Sequence, residues 1–273
     1  DNFRAAYDAI RQYDTSRPVQ YERNNDIVDM GSNQYPSVDW VRQVAKGTAG
    51  VKYPFHISEY AHSMGNSLGN LADYWEAMES TNYFCGAAIW DWVDQAIDTY
   101  TPDGRRYMGY GGDHGDWPND GMFCMNGIML PDLSPKPQYY EVKKVYQNVG
   151  VRADWDNNGV RIFNKNYFTT LNDYLIQWRL MRDGREQQSG LFSTSRMAHE
   201  PRTEKAYRLP FDIKSLDDGG EYLLNVEFLL TNSMPWAEAG YVQMAEQLPL
   251  PTQPTRNAMT ASEGRKATFN VEG

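Results

Sequence analysis

Phe55-His56-Ile57-Ser58-Glu59-Tyr60-Ala61-His62-Ser63-Met64-Gly65-Asn66-Ser67, residues 55–67, decides how this chain is read. The short apolar run from Val51 to Ile57 has the character of a buried strand, and it ends on an acid, Glu59. A tyrosine, a histidine and a small-residue turn follow. Then comes Leu68–Glu79, whose Leu71, Tyr74, Trp75 and Met78 recur at helical spacing. A carboxylate at the C-terminal mouth of a buried strand is costly unless it is paired or hydrogen-bonded. In a strand–loop–helix unit that mouth is also where catalytic groups sit. The plainer reading is an acid that caps the next helix.

Working outward, residues 1 to about 149 keep the same rhythm. A helix over 1–13 ends at Asp14-Thr15-Ser16-Arg17-Pro18. Strands are expected at Val19-Gln20-Tyr21 and around Asp26–Met30, and a helix from about Val38 to Lys46. Phe84–Trp92 is apolar enough to be a strand buried on both faces. Such repetition points to a parallel α/β barrel or a doubly wound sheet. No glycine-rich phosphate loop is present, which disfavours the second. After about residue 150 the pattern becomes that of a β-sandwich. Val160–Phe163, Tyr174–Leu180 and Glu221–Phe228 read as strands, separated by turn signals at Asn157-Asn158-Gly159 and Arg182-Asp183-Gly184. The sandwich spans 150–250. The tail from Leu248 carries Pro249, Pro251 and Pro254, and 251–273 reads as a linker to a further domain.

At 273 residues the chain accommodates two domains of ordinary size. Its net charge of −10, with no basic cluster, argues against nucleic acid and anionic membranes. No apolar run approaches the roughly 20 residues of a membrane span. Cys85 and Cys124 have no neighbouring Cys or His at metal-ligand spacing and read as buried free thiols. The chain opens on Asp1, already in a helical pattern, so it reads as cut from something longer. Its compartment, cytoplasm or periplasm, is left open.

Four clusters fall where loops follow strands: Asn33-Gln34-Tyr35-Pro36, Glu59-Tyr60-Ala61-His62, Trp90-Asp91-Trp92-Val93-Asp94-Gln95 and Phe123-Cys124-Met125-Asn126-Gly127. Each has an innocent explanation. Tyr35 suits a turn before a proline, Trp90 a core, and Asp91 and Asp94 the capping of a loop. A barrel would bring all four to one rim. A carboxylate, a phenol, an imidazole, an indole face and an amide together suit a sugar, whose C–H face stacks on aromatic rings. They do not make a transition-metal site, since one His near the acid is too few.

These runs, with Ser16-Arg17-Pro18-Val19-Gln20-Tyr21-Glu22 and Glu59 through Ser67, resemble the large β-galactosidases of glycoside hydrolase family 2. The resemblance spans nearly the whole chain and continues at Trp236-Ala237-Glu238-Ala239-Gly240. It implies the C-terminal half of a (β/α)8 TIM barrel followed by an immunoglobulin-like β-sandwich. It implies that Glu59 is the nucleophile of a retaining hydrolysis through a covalent galactosyl-enzyme. It makes Tyr35 the hydrogen-bond donor to that nucleophile, His62 a contact to sugar hydroxyls and Trp90 the platform for galactose. Phe123 and Asn126 become part of a site for Na+ and the 6-hydroxyl.

The same resemblance puts the acid/base carboxylate in an Asn-Glu pair upstream of the first helix, together with the ligands of Mg2+. Glu22 and Glu76 are poor substitutes, one following another strand and the other lying mid-helix. At Gln34 the family usually has Met. The chain by itself is therefore expected to be close to inactive and to bind neither ion. Half a barrel leaves sheet edges open, so a homo-oligomer is expected. Two other readings stand beside this one: a non-catalytic carbohydrate-binding module, and another family 2 specificity such as β-glucuronidase or β-mannosidase.

Overall fold

The computed structural model describes residues 2–23, 26–192, 198–217 and 219–252. The chain divides after Tyr146 into two compact units. The first contains α1 (Asn2–Tyr13), β1 (Gly31–Gln34), α2 (Val38–Ala45), β2 (Phe55–Tyr60), α3 (Leu71–Glu79), β3 (Phe84–Ile89), a hairpin of β4 (Ile97–Tyr100) and β5 (Arg106–Gly109), and α4 (Pro137–Val145). Strands β1, β2 and β3 form a parallel sheet in that order, with α2 and α3 as the crossovers, as strand–helix alternation requires.

The sheet's middle strand carries the core. Phe55, Ile57 and Tyr60 are fully buried with Val41 and Val44 of α2, Leu71 and Met78 of α3, and Val142 of α4. Strict alternation along β2 would put Glu59, not Tyr60, on the face of Phe55 and Ile57. The ladder instead shifts register between Ile57 and Tyr60. Tyr60 takes the core position, where its hydroxyl accepts from Trp75 Nε1 at 2.9 Å and meets the Tyr146 hydroxyl at 2.8 Å. Glu59 is left half-buried at the end of the strand.

Several expectations are corrected here. Val19–Tyr21 is not a strand. Its backbone is claimed by Asp29, whose carboxylate accepts from Val19 N at 2.6 Å while its own N–H donates to Val19 O at 3.0 Å. The next strand is not at 26–30 but at Gly31–Gln34. The helix expected from Leu68 starts at Leu71, because Leu68 and Asn70 have positive φ (80° and 64°). Strand β3 is a sheet edge with one neighbour among the described residues, and Cys85 and Ala88 on it are exposed, so it is not buried on both faces. Cys85 and Cys124 are free thiols, but Cys85 is exposed and Cys124 half-buried.

The second unit holds β6 (Val149–Asp154), β7 (Gly159–Asn164), β8 (Tyr174–Arg182), β9 (Arg185–Leu191), β10 (Glu204–Arg208), β11 (Tyr222–Leu230) and β12 (Val242–Pro249). They form two antiparallel sheets, β10-β7-β6 and β12-β11-β8-β9. Alternate residues pack the core: Ile176, Trp178 and Leu180 from β8, and Leu224, Val226 and Phe228 from β11, with Val160 and Ile162 from β7. Asp183 and Gly184 turn β8 into β9 with φ of 49° and 76°, the positive pair a type I′ hairpin needs. Pro249, expected in the tail, closes β12. Residues 253–273, the rest of the expected linker, lie outside the described part.

Candidate active site

Each cluster is delivered by a sheet strand or by a segment laced to one. Gln34, the last residue of β1, pairs with Glu59 of β2 across a register shift. Tyr35 follows with φ of 48°, and its N–H donates to Glu59 O at 2.8 Å. Below it, Tyr74 Oη donates to Pro36 O at 2.6 Å, so α3 holds the turn that carries Tyr35. Burial, the neighbouring Glu59 carboxylate and the charge of Asp91 push the pKa of the Tyr35 hydroxyl above the ordinary phenol range. The phenol is thus kept protonated, as a donor to the acid must be.

His62 continues from β2 and meets two of the other candidates. Its ring centroid lies 5.9 Å from that of Tyr35 and 5.7 Å from that of Phe123, the second pair stacked at an interplanar angle of 25°. Trp90 follows β3 directly. Its N–H donates to Tyr60 O at 3.0 Å and its carbonyl accepts from Ser63 N at 2.8 Å, which ties the His62 loop to β3.

Phe123–Gly127 comes after the β4–β5 hairpin, not after a strand of the parallel sheet. It reaches the site because it is laid along residues 91–95. Asp91 N donates to Asn126 O at 2.7 Å, Gln95 N to Cys124 O at 2.9 Å and Ile128 N to Asp91 O at 3.0 Å. The approach is so close that a Cβ on Gly127 would stand 2.2 Å from the Val93 carbonyl carbon. Asn126 is 4% exposed; its Nδ2 donates to Phe123 O at 3.1 Å, and its Oδ1 is buried with no partner.

Glu59, Tyr35, His62, Phe123 and Asn126 therefore form one chain of contacts, with Trp90 joined through the backbone of the same loop. Asp91 and Asp94 take the innocent role. Asp91 accepts from Trp92 N at 2.5 Å and Gln95 Nε2 at 2.6 Å, and Asp94 accepts from Gly127 N at 2.7 Å and Lys136 Nζ at 2.9 Å. Nothing in the local sequence marks Lys136, whose partner lies 42 residues away. Glu76 lies exposed on α3, and Glu22 sits in a turn beside Arg23.

Comparison with known proteins agrees with this architecture. The family model described as "Glycosyl hydrolases family 2, TIM barrel domain" matches residues 1–151. The chain belongs to glycosyl hydrolase family 2. A second model, "Beta-galactosidase, domain 4", matches residues 160–251, the sandwich. A beta-galactosidase of Priestia megaterium is 34% identical to this family 2 chain over 270 residues, covering 96% of the chain and 26% of the relative. Beta-galactosidase BgaC of Bifidobacterium adolescentis is 36% identical over 252 residues, covering 88% and 23%. The chain thus spans about a quarter of the length of the curated relatives it matches. Among solved structures, a beta-glucuronidase of Bacteroides uniformis covers 92% of this chain and 30% of its own, at 13% identity and a TM-score of 0.37, too distant to weigh on specificity.

A hard cation takes oxygen ligands, and the unpartnered Asn126 Oδ1 beside the Phe123 carbonyl offers two. No group of three or more His, Cys, Asp or Glu residues placed to hold a metal occurs among the described residues.

Proposed function

We propose that the protein containing this chain hydrolyses terminal β-D-galactosides with retention, with Glu59 as the nucleophile. The observation that carries this reading is the convergence at the mouth of β2, where the Tyr35 N–H donates to Glu59 O at 2.8 Å and the Tyr35 ring meets the stacked rings of His62 and Phe123. A nucleophilic carboxylate works ionised and needs donors around it, and we assign the Tyr35 hydroxyl as one. Glu59 attacks the anomeric carbon, the aglycone leaves with a proton from an acid, and water then releases the sugar. His62 and Asn126 meet sugar hydroxyls, and Trp90 presents its indole to the C–H face. When bound, Na+ at the Phe123 carbonyl and Asn126 Oδ1 would position and polarise a hydroxyl of the sugar.

Retention needs a second carboxyl group roughly 5–5.5 Å from the first. We place it outside these residues, along with the Mg2+ ligands. Glu76 points from the surface of α3, and Asp91 is committed to Trp92 and Gln95. The chain alone is accordingly inactive. For the chain on its own, a homo-oligomer is part of this reading, since β1 and β3 pair on one side only among the described residues. Relatives named beta-galactosidase favour galactose over glucuronic acid or mannose.

The test is a 2-deoxy-2-fluoro-galactosyl fluoride offered to the full-length protein. Covalent attachment at Glu59, found by peptide mass spectrometry, is the expected result. Labelling of another residue overturns the assignment. Galactose binding without labelling or turnover would make the protein a carbohydrate-binding module.

A further inference from the structure

Tyr74, near the start of α3, meets the residue that follows each of the two proposed catalytic groups. Its hydroxyl donates at 2.6 Å to the carbonyl of buried Pro36, next after Tyr35. Its ring meets that of Tyr60, next after Glu59, edge-on, with centroids 5.6 Å apart and planes at 81°. Tyr60 is itself held. It is fully buried, its hydroxyl accepts from Trp75 Nε1 at 2.9 Å, and its carbonyl accepts from Trp90 N at 3.0 Å. One side chain thus spans the gap between the end of β2 and the turn after β1.

That turn needs holding. Tyr35 has φ of 48°, a left-handed conformation that residues bearing a side chain adopt at a cost and keep only where their surroundings impose it. Tyr35 is 41% exposed, so core packing does not fix it. Its own N–H is bonded to Glu59 O at 2.8 Å on one side, and on the other Tyr74 takes the Pro36 carbonyl. Pro36 has no N–H with which to add a further bond. Burial raises the pKa of Tyr74, so its hydroxyl stays a donor. Without that donor the buried Pro36 carbonyl is left unsatisfied, and the turn gains by shifting to find water or another partner.

We propose that Tyr74 is a positioning residue: by holding Pro36 and Tyr60 it sets the Tyr35 hydroxyl against the Glu59 carboxylate. This rests on the hydrolase reading, in which those two groups act together, and extends it by assigning their alignment to a residue of α3. A misplacement of about 1 Å can cost a hundredfold in rate.

The test uses the full-length protein and Tyr74→Phe, which keeps the ring against Tyr60 and deletes only the donor. On a chromogenic β-galactoside kcat should fall about tenfold, with KM changed by less than about twofold. In a Tyr35→Phe background the same change should cost less than about twofold, because a residue that acts through the Tyr35 hydroxyl then has nothing left to position. Amide hydrogen exchange gives a readout free of activity: the peptide carrying the Tyr35 N–H should exchange about tenfold faster in Tyr74→Phe. Tyr53→Phe is the control. Tyr53 Oη donates to Val44 O at 3.1 Å, a bond of the same kind at the other end of β2, and its loss should leave kcat and that peptide unchanged. An unchanged kcat, a fall as large in the Tyr35→Phe background as in wild type, a fall matched by Tyr53→Phe, or unaltered exchange at Tyr35 would each overturn the proposal. Failure of the hydrolase reading shows separately, as wild-type protein that 2-deoxy-2-fluoro-galactosyl fluoride does not label at Glu59. Failure of the positioning role alone leaves that labelling intact.

Discussion

Asp94 Oδ1 and Lys136 Nζ lie 2.9 Å apart, the carboxylate 2% exposed and the ammonium 14%. The same oxygen accepts from Gly127 N at 2.7 Å. One buried atom thus ties three places together: the segment after Trp90, the turn carrying Asn126, and the start of α4. Removing one member of a buried pair strands the other, which costs about 3–5 kcal/mol. Asp94→Ala should destabilise the protein by that much, and Lys136→Met somewhat less, because Asp94 keeps the Gly127 N–H. Urea unfolding of both variants and of the double mutant checks this. A double mutant as unstable as the two losses summed would mean the pair does not act as a unit.

Gly127→Ala tests the same junction by shape. The added Cβ would stand 2.2 Å from the Val93 carbonyl carbon and 2.3 Å from Asp94 N, and both are backbone atoms. Relief requires pulling apart the bonds between residues 91–95 and 124–128, so a loss above about 3 kcal/mol is expected. A fully stable Gly127→Ala protein would mean this close approach is absent in solution.

Tyr35→Phe should separate catalysis from folding. The residue is 41% exposed, so removing the hydroxyl should change stability by less than about 1 kcal/mol. On the proposed function, the rate of the full-length protein on a chromogenic β-galactoside should fall by about two orders of magnitude, mainly in kcat, because the hydroxyl assigned as donor to Glu59 is removed. Since the phenol is held above its ordinary range, wild-type activity should not be lost through Tyr35 ionising below about pH 10. An alkaline limb below that pH that disappears in Tyr35→Phe would contradict the assigned protonation state.

The parts of this molecule legible in sequence share a property: their signal is local. Strands β8 and β11 announce themselves by alternation, and Ile176, Trp178, Leu180, Leu224, Val226 and Phe228 all reach the core. Glu59 stands out because an acid ends an apolar run. Strand β1 is illegible because Gly31-Ser32-Asn33-Gln34 has no apolar side chain; it exists because β2 offers a ladder, so neighbours override propensity. Val19–Tyr21 fails in the opposite sense. It has strand composition, but Asp29, ten residues on, takes the backbone groups of Val19. Tyr60 taking the core place that alternation gives Glu59 depends on a register shift that no periodicity encodes.

His199 gives the sandwich a dependence on pH. It is 2% exposed, with Nε2 on Thr203 O at 3.0 Å and Nδ1 on the Tyr207 hydroxyl at 2.9 Å. A carbonyl only accepts, so Nε2 carries the proton and Nδ1 accepts from Tyr207: one neutral tautomer satisfies both contacts. Burial lowers the pKa from 6.5, the Thr203 carbonyl opposes that, and nearby Lys205 adds to the lowering. The folded state therefore binds the proton less readily than the unfolded chain. The stability this confers is complete above the unfolded value of about 6.5 and is lost as pH falls from there through the lower folded value. Glu204 does not blur the window, because Arg152 and Arg161 hold its carboxyl down at about 2. Unfolding free energy measured in urea at several pH values between about 8 and 5 should decline below about 6.5. His199→Gln should lower stability by about 1–3 kcal/mol at neutral pH and reduce that decline. An unchanged slope in the variant would assign the pH dependence to other groups.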